Sequence, residues 1–316
     1  MSSIKKYLSL VKFGHTIFAM PFAIIGFFLG VVSRLKDLNY FQPDNKETYV
    51  FQLFKKEFLN YEFAEKFVLV ILCMIFARSA AMAFNRYLDR TFDAKNPRTA
   101  IREIPAGIIS KESALRFVII NCLLFITATF FINRICFFLS PVALFVILFY
   151  SYTKRFTPLC HLILGVGLSL APIGAYLAVT GVFAFLPILF SLAVIFWVGG
   201  FDIIYALQDV EFDQSQKLFS MPAWLGKTKA LKVSELLHAL SAACVVFAGI
   251  YGYFGWWYWI GIVVFIGMLI YQHSIVKPND LSKVNIAFMT ANGIASVVFA
   301  VFVLLDIFTH SNTLVH

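Results

Sequence analysis

Charged side chains are scarce in this sequence. Asp, Glu, Lys and Arg make up 14% of the 316 residues, whereas 60% are hydrophobic, and several apolar runs exceed 18 residues. A soluble domain does not need so much apolar surface, so the composition predicts a polytopic membrane protein. The ten-residue alternation that is typical of barrel strands is also missing. We therefore predict an all-α fold: one transmembrane domain, residues 1–316, with about nine membrane-spanning helices.

Cysteine is sparse as well, and its placement excludes some classes of site. The five cysteines are scattered through apolar segments without a C-x-x-C spacing. This pattern argues against a disulfide framework or a thiolate metal site and predicts small buried side chains. The first apolar run lacks a small-residue cleavage site, so we expect it to be retained as a span.

Acidic residues are outnumbered by basic ones, which gives a formal net charge of +9. The basic residues lie at the ends of apolar runs rather than in a separate basic region. Membrane topology and an anionic substrate explain that placement better than a nucleic-acid partner does.

Nine spans follow from a window of about 20 residues. Their predicted ranges are 14–33, 67–87, 114–133, 135–152, 159–180, 184–206, 233–253, 256–274 and 285–307. Most Lys and Arg residues fall before the first span or in the connections that follow the even-numbered spans. By the positive-inside rule, the N-terminus lies in the cytoplasm and the C-terminus outside. We expect an integral protein of the inner (cytoplasmic) membrane.

The most polar stretch of the chain is FNRYLDRTFDAKNPRTAIREIPAG, residues 84–107. Asn85, Asp89 and Asp93 stand four residues apart, so a helix places them on one face. Carboxylate and amide oxygens suit a hard cation such as Mg²⁺. Guanidinium and ammonium groups beside such a cation suit phosphate oxygens. Four basic residues follow in the same stretch: Arg90, Lys95, Arg98 and Arg102.

A second acidic cluster repeats the four-residue spacing. It consists of Asp209 and Asp213, with Lys217 after them. Both clusters fall at the cytoplasmic ends of predicted spans, as do Lys154 and Arg155 after the fourth span. We therefore predict that the two clusters converge on one metal–diphosphate site. Their separation by four spans also suggests a duplicated four-helix unit with a ninth helix appended.

A site of this kind joins a soluble headgroup to a lipid tail. Mg²⁺ held between carboxylates and diphosphate neutralises the leaving group, while Lys and Arg stabilise the charge that grows as the C–O bond breaks. An allylic diphosphate leaves a delocalised carbocation, which aromatic faces protect. An electron-rich ring then attacks, and a base removes the ring proton. Four tyrosines lie close to the clusters in sequence: Tyr87, Tyr150, Tyr152 and Tyr205.

Three motifs together resemble those of a known family. NRYLDRTFDAKNPRTAIREIPAG (85–107) resembles the first motif of the UbiA superfamily of intramembrane aromatic prenyltransferases, and YALQDVEFD (205–213) resembles the second. YSYTKRFT (150–157) is similar to the tyrosine and lysine–arginine element between them. The resemblance extends over nearly the whole chain. It implies a nine-helix bundle with a Mg²⁺-dependent site open to the cytoplasm and a lateral portal to lipid.

The resemblance assigns roles by motif position. The residues that it implies as ligands of Mg²⁺ and diphosphate are Asn85, Asp89, Asp93, Asp209 and Asp213. It implies phosphate contacts from Arg98, Arg102 and Lys154, and it makes Arg155 the candidate for the carboxylate of an acceptor.

The remaining substrate candidates lie outside these ligand positions. Lys12 and His15 stand where other branches often have an arginine, and we expect them to contact the diphosphate or the acceptor. Tyr150, Tyr205 and Lys217 complete the predicted substrate contacts.

Within the superfamily, RSAAMAFNR (78–86) is similar to the branch labelled 4-hydroxybenzoate polyprenyltransferase. This implies transfer of a polyprenyl group from its diphosphate to an aromatic acid in the biosynthesis of respiratory quinones, ubiquinone or menaquinone. Two alternatives stay open. One is prenylation of 1,4-dihydroxy-6-naphthoate in the futalosine route to menaquinone. The other is cation-coupled secondary transport, which also uses paired acidic helices but at mid-span.

Arg78 and Asp202 lie inside predicted spans, where charge is costly. Arg78 is interpreted either as a substrate contact or as part of a structural ion pair, and Asp202 is expected to join a polar network. Three histidines are expected at span ends without a catalytic role: His161, His238 and His273.

Overall fold

The computed structural model describes residues 3–11, 18–37 and 61–309. Over these residues the chain is helical, apart from loops and one isolated bridge between Lys277 and Asp280. The helices are α1 Ser3–Leu10, α2 Met20–Asp37, α3 Tyr61–Lys95, α4 Lys111–Ile132, α5 Arg134–Thr153, α6 Cys160–Thr180, α7 Phe185–Ala206, α8 Val210–Ser215, α9 Met221–Leu225, α10 Lys227–Tyr251, α11 Trp256–Ile275 and α12 Asn292–Thr309.

The predicted polytopic bundle is confirmed. Among the described residues, eight helices are long and apolar enough to cross a membrane, and Met20–Leu35 within α2 forms a shorter apolar helix. Each of the nine predicted spans overlaps one of these helices, although residues 14–17 of the first lie outside the described part of the chain. Helix α10 begins at Lys227, ahead of the predicted 233, because its first turns are rich in lysine and lower the local hydropathy.

Helix α3 extends beyond its predicted span at both ends and carries the first acidic cluster. Its sequence contains neither glycine nor proline, so nothing in it breaks the helix. It ends at Lys95 because Pro97 disfavours the helical conformation of the residue before it. Asn85, Asp89 and Asp93 therefore share one helical face at the end of α3, as the spacing predicts.

Helix α7 is the central helix of the bundle. In its apolar window 67% of the residues are buried inside the protein, against 17% for α5, which lies at the periphery. Its main neighbours are α6 and α10. The main core forms around it from interlocking rings of α2, α7, α11 and α12: Phe22, Trp197, Phe265 and Phe299.

The second acidic cluster does not lie on one continuous helix. Helix α7 ends at Ala206, Asp209 closes a 3₁₀ turn over Leu207–Asp209, and Asp213 belongs to the short helix α8. The four-residue spacing thus corresponds to a change of helix type rather than to a single helical face.

Two further features of the bundle depart from what hydropathy alone indicates. A π-helical turn, Ile286–Ala291, precedes α12, and the Asn292 side chain donates hydrogen bonds to the Ala287 and Phe288 carbonyls. His238 was expected at a span end, but it lies buried in the interior of α10, where its ring contacts His273 of α11. That expectation was wrong because α10 starts earlier than its apolar window.

Candidate active site

Asp89 lies on α3 and is held by two cations from the end of α5. The Lys154 Nζ lies 2.5 Å from Asp89 Oδ2, and Arg155 Nη2 donates to Oδ1 at 3.1 Å. Asn85, one turn earlier, donates from Nδ2 to Asp89 Oδ2 at 3.3 Å. Asp89 is only 2% exposed, so its charge depends on these partners rather than on water.

Asp93, one turn further along α3, contacts a different cation. Arg102 donates from Nη1 to both carboxylate oxygens, at 2.8 and 3.0 Å. The Thr99 hydroxyl donates to the Asp93 backbone carbonyl at 3.1 Å. The loop that follows α3 therefore folds back onto the helix end that carries the first cluster.

The same loop reaches the second cluster. Arg98 donates from Nε to Asp209 Oδ1 at 3.0 Å, and its Nη2 contacts Oδ2 of the same carboxylate. Asn96 donates from Nδ2 to Asp209 Oδ1 at 3.1 Å. Arg98 also donates to the Tyr205 hydroxyl at 3.0 Å and lies over the Tyr205 ring. Partial burial disfavours the charged guanidinium of Arg98, but the hydrogen bonds and charge of Asp209 outweigh this effect and raise its pKa.

Asp213 has a neutral partner. The Ser220 hydroxyl donates to Asp213 Oδ2 at 2.9 Å and accepts from the Ala223 amide, which caps α9. The backbone between them is tied to the basic element, because the Phe219 amide donates to the Lys154 carbonyl at 2.7 Å. The structure thus connects the end of α5, which carries Lys154, directly to the second cluster.

All four aspartates line one cavity of about 320 Å³. Its other polar lining residues are Arg78, Asn85, Arg86, Asn96, Arg98, Thr99, Arg102, Tyr150, Ser151, Lys154, His161, Asp202, Tyr205 and Ser220. We call this space the charged cavity. Acidic groups separated by more than 100 residues therefore meet in one place, together with the cations that balance them.

A second, apolar cavity of about 360 Å³ lies beside the charged cavity. It is lined almost entirely by aliphatic, aromatic and small side chains of α3, α4, α5 and α6. Val142 and Phe183 in its lining are each 59% exposed, so the cavity opens on the surface of the bundle. The residues that line both cavities mark the junction between them: Arg78, Met82, Tyr150, Leu164 and Leu168.

Arg78 is the unusual residue of this junction. Its Nε is buried without a hydrogen-bond partner, and no described carboxylate forms an ion pair with it. Of its two interpretations, the structural ion pair is therefore not found among the described residues. A cation that is held without a counter-charge beside a cavity is placed to receive an anionic group from a ligand.

Two predicted residues are not brought into the cavity. Arg155 points its guanidinium at Asp89 and at the Leu88 and Ser151 carbonyls, and it is not part of the cavity lining. Lys217 is exposed on the loop after α8 with a φ of 54°. Lys12 and His15 lie outside the described residues.

The donor set of the charged cavity fits a magnesium ion. Among the described residues no three His, Cys, Asp or Glu side chains surround one point as a ready-made metal cage. Four carboxylates and the Asn85 amide nevertheless line the same space, and these are the oxygen ligands that Mg²⁺ prefers. Because Mg²⁺ typically binds through one or two carboxylates plus substrate phosphates, a shared Mg²⁺–diphosphate site suits this arrangement better than an all-protein cage.

Several residues of the site were missed by sequence reasoning. Asn96 contacts Asp209, and Glu103 accepts from the buried Arg86 at 3.2 Å and from Ser9, which fixes the loop after α3. Phe288 packs on the Tyr205 ring, with centroids 4.3 Å apart, because the π-helical turn presents it there. Arg86 and Glu103 both lie in the first motif, so the sequence could have indicated their role. No sequence pattern pointed to Phe288.

Comparison with known proteins extends these observations. A model of the UbiA prenyltransferase family matches residues 59–294. A protein of Nitrosomonas europaea named 4-hydroxybenzoate octaprenyltransferase is 31% identical over 233 residues, covering 74% of this chain and 80% of that protein. A protein of the same name from Nitrosospira multiformis is 29% identical over 237 residues, covering 75% and 81%.

Solved structures show the same architecture. A UbiA homolog from Aeropyrum pernix K1 aligns with a TM-score of 0.71 and 27% identity, covering 93% of this chain and 96% of that chain. A UbiA homolog from Archaeoglobus fulgidus, solved with GPP and Mg²⁺, shares the fold at a TM-score of 0.67 and 22% identity, covering 96% and 99%. Since the family model spans most of the chain and the relatives match it over most of their own length, the chain belongs to the UbiA prenyltransferase family.

Proposed function

We propose that this protein is a Mg²⁺-dependent integral-membrane enzyme that transfers a polyprenyl group from its diphosphate to an aromatic acid of the 4-hydroxybenzoate kind, in respiratory quinone biosynthesis. One observation carries the proposal: a cavity lined by acidic and basic side chains joins an apolar cavity through Arg78 and Tyr150. A prenyl diphosphate has the matching two parts, a charged head and a hydrocarbon tail.

The charged cavity accounts for the head of the substrate. Asn85 and the four clustered aspartates would hold Mg²⁺ together with the diphosphate, and Arg98, Arg102 and Lys154 would bind phosphate oxygens. When bound, the metal supplies charge neutralisation of the diphosphate leaving group. In the structure these three cations contact Asp209, Asp93 and Asp89, so they are already beside the predicted position of the diphosphate.

The junction accounts for the acceptor. No carboxylate in the described part of the chain pairs with Arg78, so it is the cation best placed to bind the carboxylate of an aromatic acid. Arg155, which the motif resemblance made the candidate, instead fixes Asp89. The rings of Tyr205 and Phe288 form an aromatic wall on the charged cavity, which suits a site where an allylic carbocation forms.

The comparisons support the substrate class. The named relatives from Nitrosomonas and Nitrosospira point to 4-hydroxybenzoate as acceptor, and the Archaeoglobus homolog was solved with GPP and Mg²⁺. Cation-coupled transport is disfavoured because both acidic clusters lie at helix ends rather than at mid-span. The excess of Lys and Arg on the side of these helix ends supports an inner-membrane protein whose site faces the cytoplasm.

The proposal is tested with the purified protein in nanodiscs, geranyl diphosphate and Mg²⁺. Two acceptors are compared, 4-hydroxybenzoate and 1,4-dihydroxy-6-naphthoate, and prenylated products are measured by mass spectrometry together with released diphosphate. We expect Mg²⁺-dependent prenylation of 4-hydroxybenzoate at the higher kcat/KM. A higher kcat/KM for the naphthoate would assign the protein to the menaquinone route. If neither acceptor is prenylated, the proposal is refuted.

A further inference from the structure

Asp202 is a charged residue of the central helix α7 that the roles above do not use. It lies seven residues, about two helical turns, before Asp209 and lines the charged cavity. Its side chain is 25% exposed, although the helix around it is largely buried. A carboxylate in a membrane span is costly unless a partner or a function stabilises it.

The partner of Asp202 is a histidine, not a cation of the Lys or Arg type. His161 Nδ1 lies 2.7 Å from Asp202 Oδ2, and His161 is buried at the start of α6. Among the described residues, His161 is its only hydrogen-bond partner. Three of the four clustered carboxylates, Asp89, Asp93 and Asp209, differ from it because each contacts a Lys or Arg side chain. The fourth, Asp213, accepts from the Ser220 hydroxyl.

The second ring nitrogen fixes the tautomer of His161. The Met221 amide donates to His161 Nε2 at 3.2 Å, so Nε2 acts as an acceptor and carries no proton. The ring proton is then on Nδ1, where it is donated to Asp202. The imidazole thereby orients the Asp202 carboxylate through its Nδ1–H.

Asp202 lines the same cavity as the junction residues, where an acceptor ring would bind. His161 precedes Leu164 by about one helical turn on α6, and Leu164 and Leu168 line the junction with the apolar cavity. Tyr150 and Arg78 line the same junction. An aromatic acid bound through Arg78 would therefore lie at the junction, and Asp202 lines the charged cavity that this junction joins.

We propose that the Asp202 carboxylate accepts the proton that the acceptor ring loses, and that His161 is the positioning residue that holds this carboxylate. This inference rests on the proposed function. The bond between C1 of the prenyl group and the diphosphate oxygen breaks, and its electron pair leaves with the diphosphate. A π pair of the acceptor ring forms the new bond to C1. The ring C–H bond then breaks, its electrons restore the aromatic ring, and the proton passes to an Asp202 oxygen.

The arrangement separates two tasks among carboxylates of one cavity. The carboxylates of Asp89, Asp93 and Asp209 are each engaged by a Lys or Arg side chain in the part of the cavity that would hold the diphosphate. Asp202 contacts neither Lys nor Arg among the described residues and lines the charged cavity, so its carboxylate is placed for general-base work. Removing a general base typically costs about 100- to 10,000-fold in rate.

The test uses the full-length enzyme with 4-hydroxybenzoate that is either unlabelled or deuterated at the ring positions beside the hydroxyl. In Asp202→Asn, which preserves size, we expect kcat to fall by about 100-fold or more, with the KM for the prenyl diphosphate unchanged. Proton loss should become the slow step, so the deuterium isotope effect on kcat should rise above that of the wild type. An unchanged isotope effect in this variant would overturn the role of proton acceptor, even if kcat fell.

Two histidine variants test the positioning role. His161→Asn retains an N–H close to the position of Nδ1, which donates to Asp202, so it should keep most of the activity, whereas His161→Leu should lose about 10- to 100-fold and show the raised isotope effect. Equal behaviour of the two variants, at matched thermal stability, would overturn the role of His161. If the wild type prenylates no aromatic acceptor, the proposed function fails; if it turns over and Asp202→Asn matches it, only this inference fails.

Discussion

The four clustered aspartates differ in what balances their charge. Asp89 contacts both Lys154 and Arg155, and Asp93 and Asp209 each contact one arginine. Within the described ranges, Asp213 accepts only from a serine hydroxyl. Arg78 is the reverse case, a guanidinium without a carboxylate among the described residues. Mg²⁺ bound with the diphosphate would supply a cation for the aspartates. The carboxylate of an aromatic acid would supply an anion for Arg78.

Arg78 gives a prediction about the acceptor. Arg78→Ala should raise the KM for 4-hydroxybenzoate by about 10- to 100-fold, because a charge-assisted hydrogen bond contributes about 1.5–3 kcal/mol. The KM for geranyl diphosphate should change little. Steady-state kinetics with each substrate varied in turn measure both values.

Arg155→Ala is the matched control for Arg78→Ala. Since Arg155 holds Asp89 and does not line the charged cavity, its loss should impair the diphosphate step and leave the KM for the acceptor near the wild-type value. If the KM for the acceptor rose more in Arg155→Ala than in Arg78→Ala, Arg155 and not Arg78 would be the residue that binds the acceptor carboxylate.

Helix α3 and the loop after it act together, because that loop supplies partners to both acidic clusters. Asn96 and Arg98 contact Asp209, and Arg102 contacts Asp93. The loop is in turn fixed by the Arg86–Glu103 ion pair, in which Arg86 is 4% and Glu103 is 8% exposed. The position of the phosphate-binding cations therefore depends on a buried ion pair outside the clusters.

The Arg86–Glu103 pair gives a prediction about stability. Glu103→Ala leaves the Arg86 charge buried without its partner, which typically costs about 3–5 kcal/mol, so the melting temperature in detergent should fall clearly. Glu112→Ala removes an exposed carboxylate that lies 3.7 Å from Lys111 on the surface of α4, and it should have little effect. Equal melting temperatures of the two variants would show that the buried pair does not fix the loop.

The contact between α6 and α7 depends on a glycine. A Cβ added at Gly165 would lie 2.4 Å from the Ile195 carbonyl oxygen and 3.0 Å from the Ile195 Cα. These are backbone atoms, so the helices must separate. Small residues at such positions allow close packing of membrane helices.

We expect Gly165→Ala to destabilise the protein by about 1–3 kcal/mol, measured as a lower melting temperature in detergent. Gly267→Ala on α11 is the control, because no described atom lies within 4 Å of a Cβ at that position. A Gly165→Ala variant as stable as Gly267→Ala would mean that α6 and α7 have more room between them than the structure shows.

For the chain as a whole, the sequence was sufficient to predict the bundle. Hydrocarbon requires every backbone polar group to be paired within a helix, so apolar runs of span length translate directly into helices. Predicted ranges 159–180 and 184–206 therefore match Cys160–Thr180 and Phe185–Ala206 closely. The end of α3 was underestimated, because Asn85–Lys95 is polar and hydropathy does not report helix that continues into the aqueous boundary.

The site was only partly predictable. Spacing placed Asn85, Asp89 and Asp93 on one face because helical periodicity is a local property. Pairing across distant segments, such as Arg98 with Asp209 or His161 with Asp202, depends on how helices pack, and no local pattern encodes it. The same limit explains why Arg155 was assigned to the acceptor, although its side chain turns toward Asp89.

Topology gives a prediction for the whole molecule. Single cysteines placed in a cysteine-free background at Lys229, at the start of α10, and at Val182, between α6 and α7, lie at opposite ends of membrane-spanning helices. A membrane-impermeant maleimide should label Lys229→Cys only in inverted vesicles and Val182→Cys only in intact cells. The opposite labelling pattern would place the acidic clusters outside the cytoplasm.

The central claim is that two acidic clusters, far apart in sequence, act as one magnesium–diphosphate site. The most direct measurement is calorimetric binding of an uncleavable geranyl diphosphate analogue to the wild type, Asp89→Asn and Asp209→Asn, with and without Mg²⁺, at matched thermal stability. We predict one ligand per chain, bound only with Mg²⁺, and an affinity about 100-fold lower in each variant. Wild-type affinity in either variant, or tight binding without Mg²⁺, would contradict the claim.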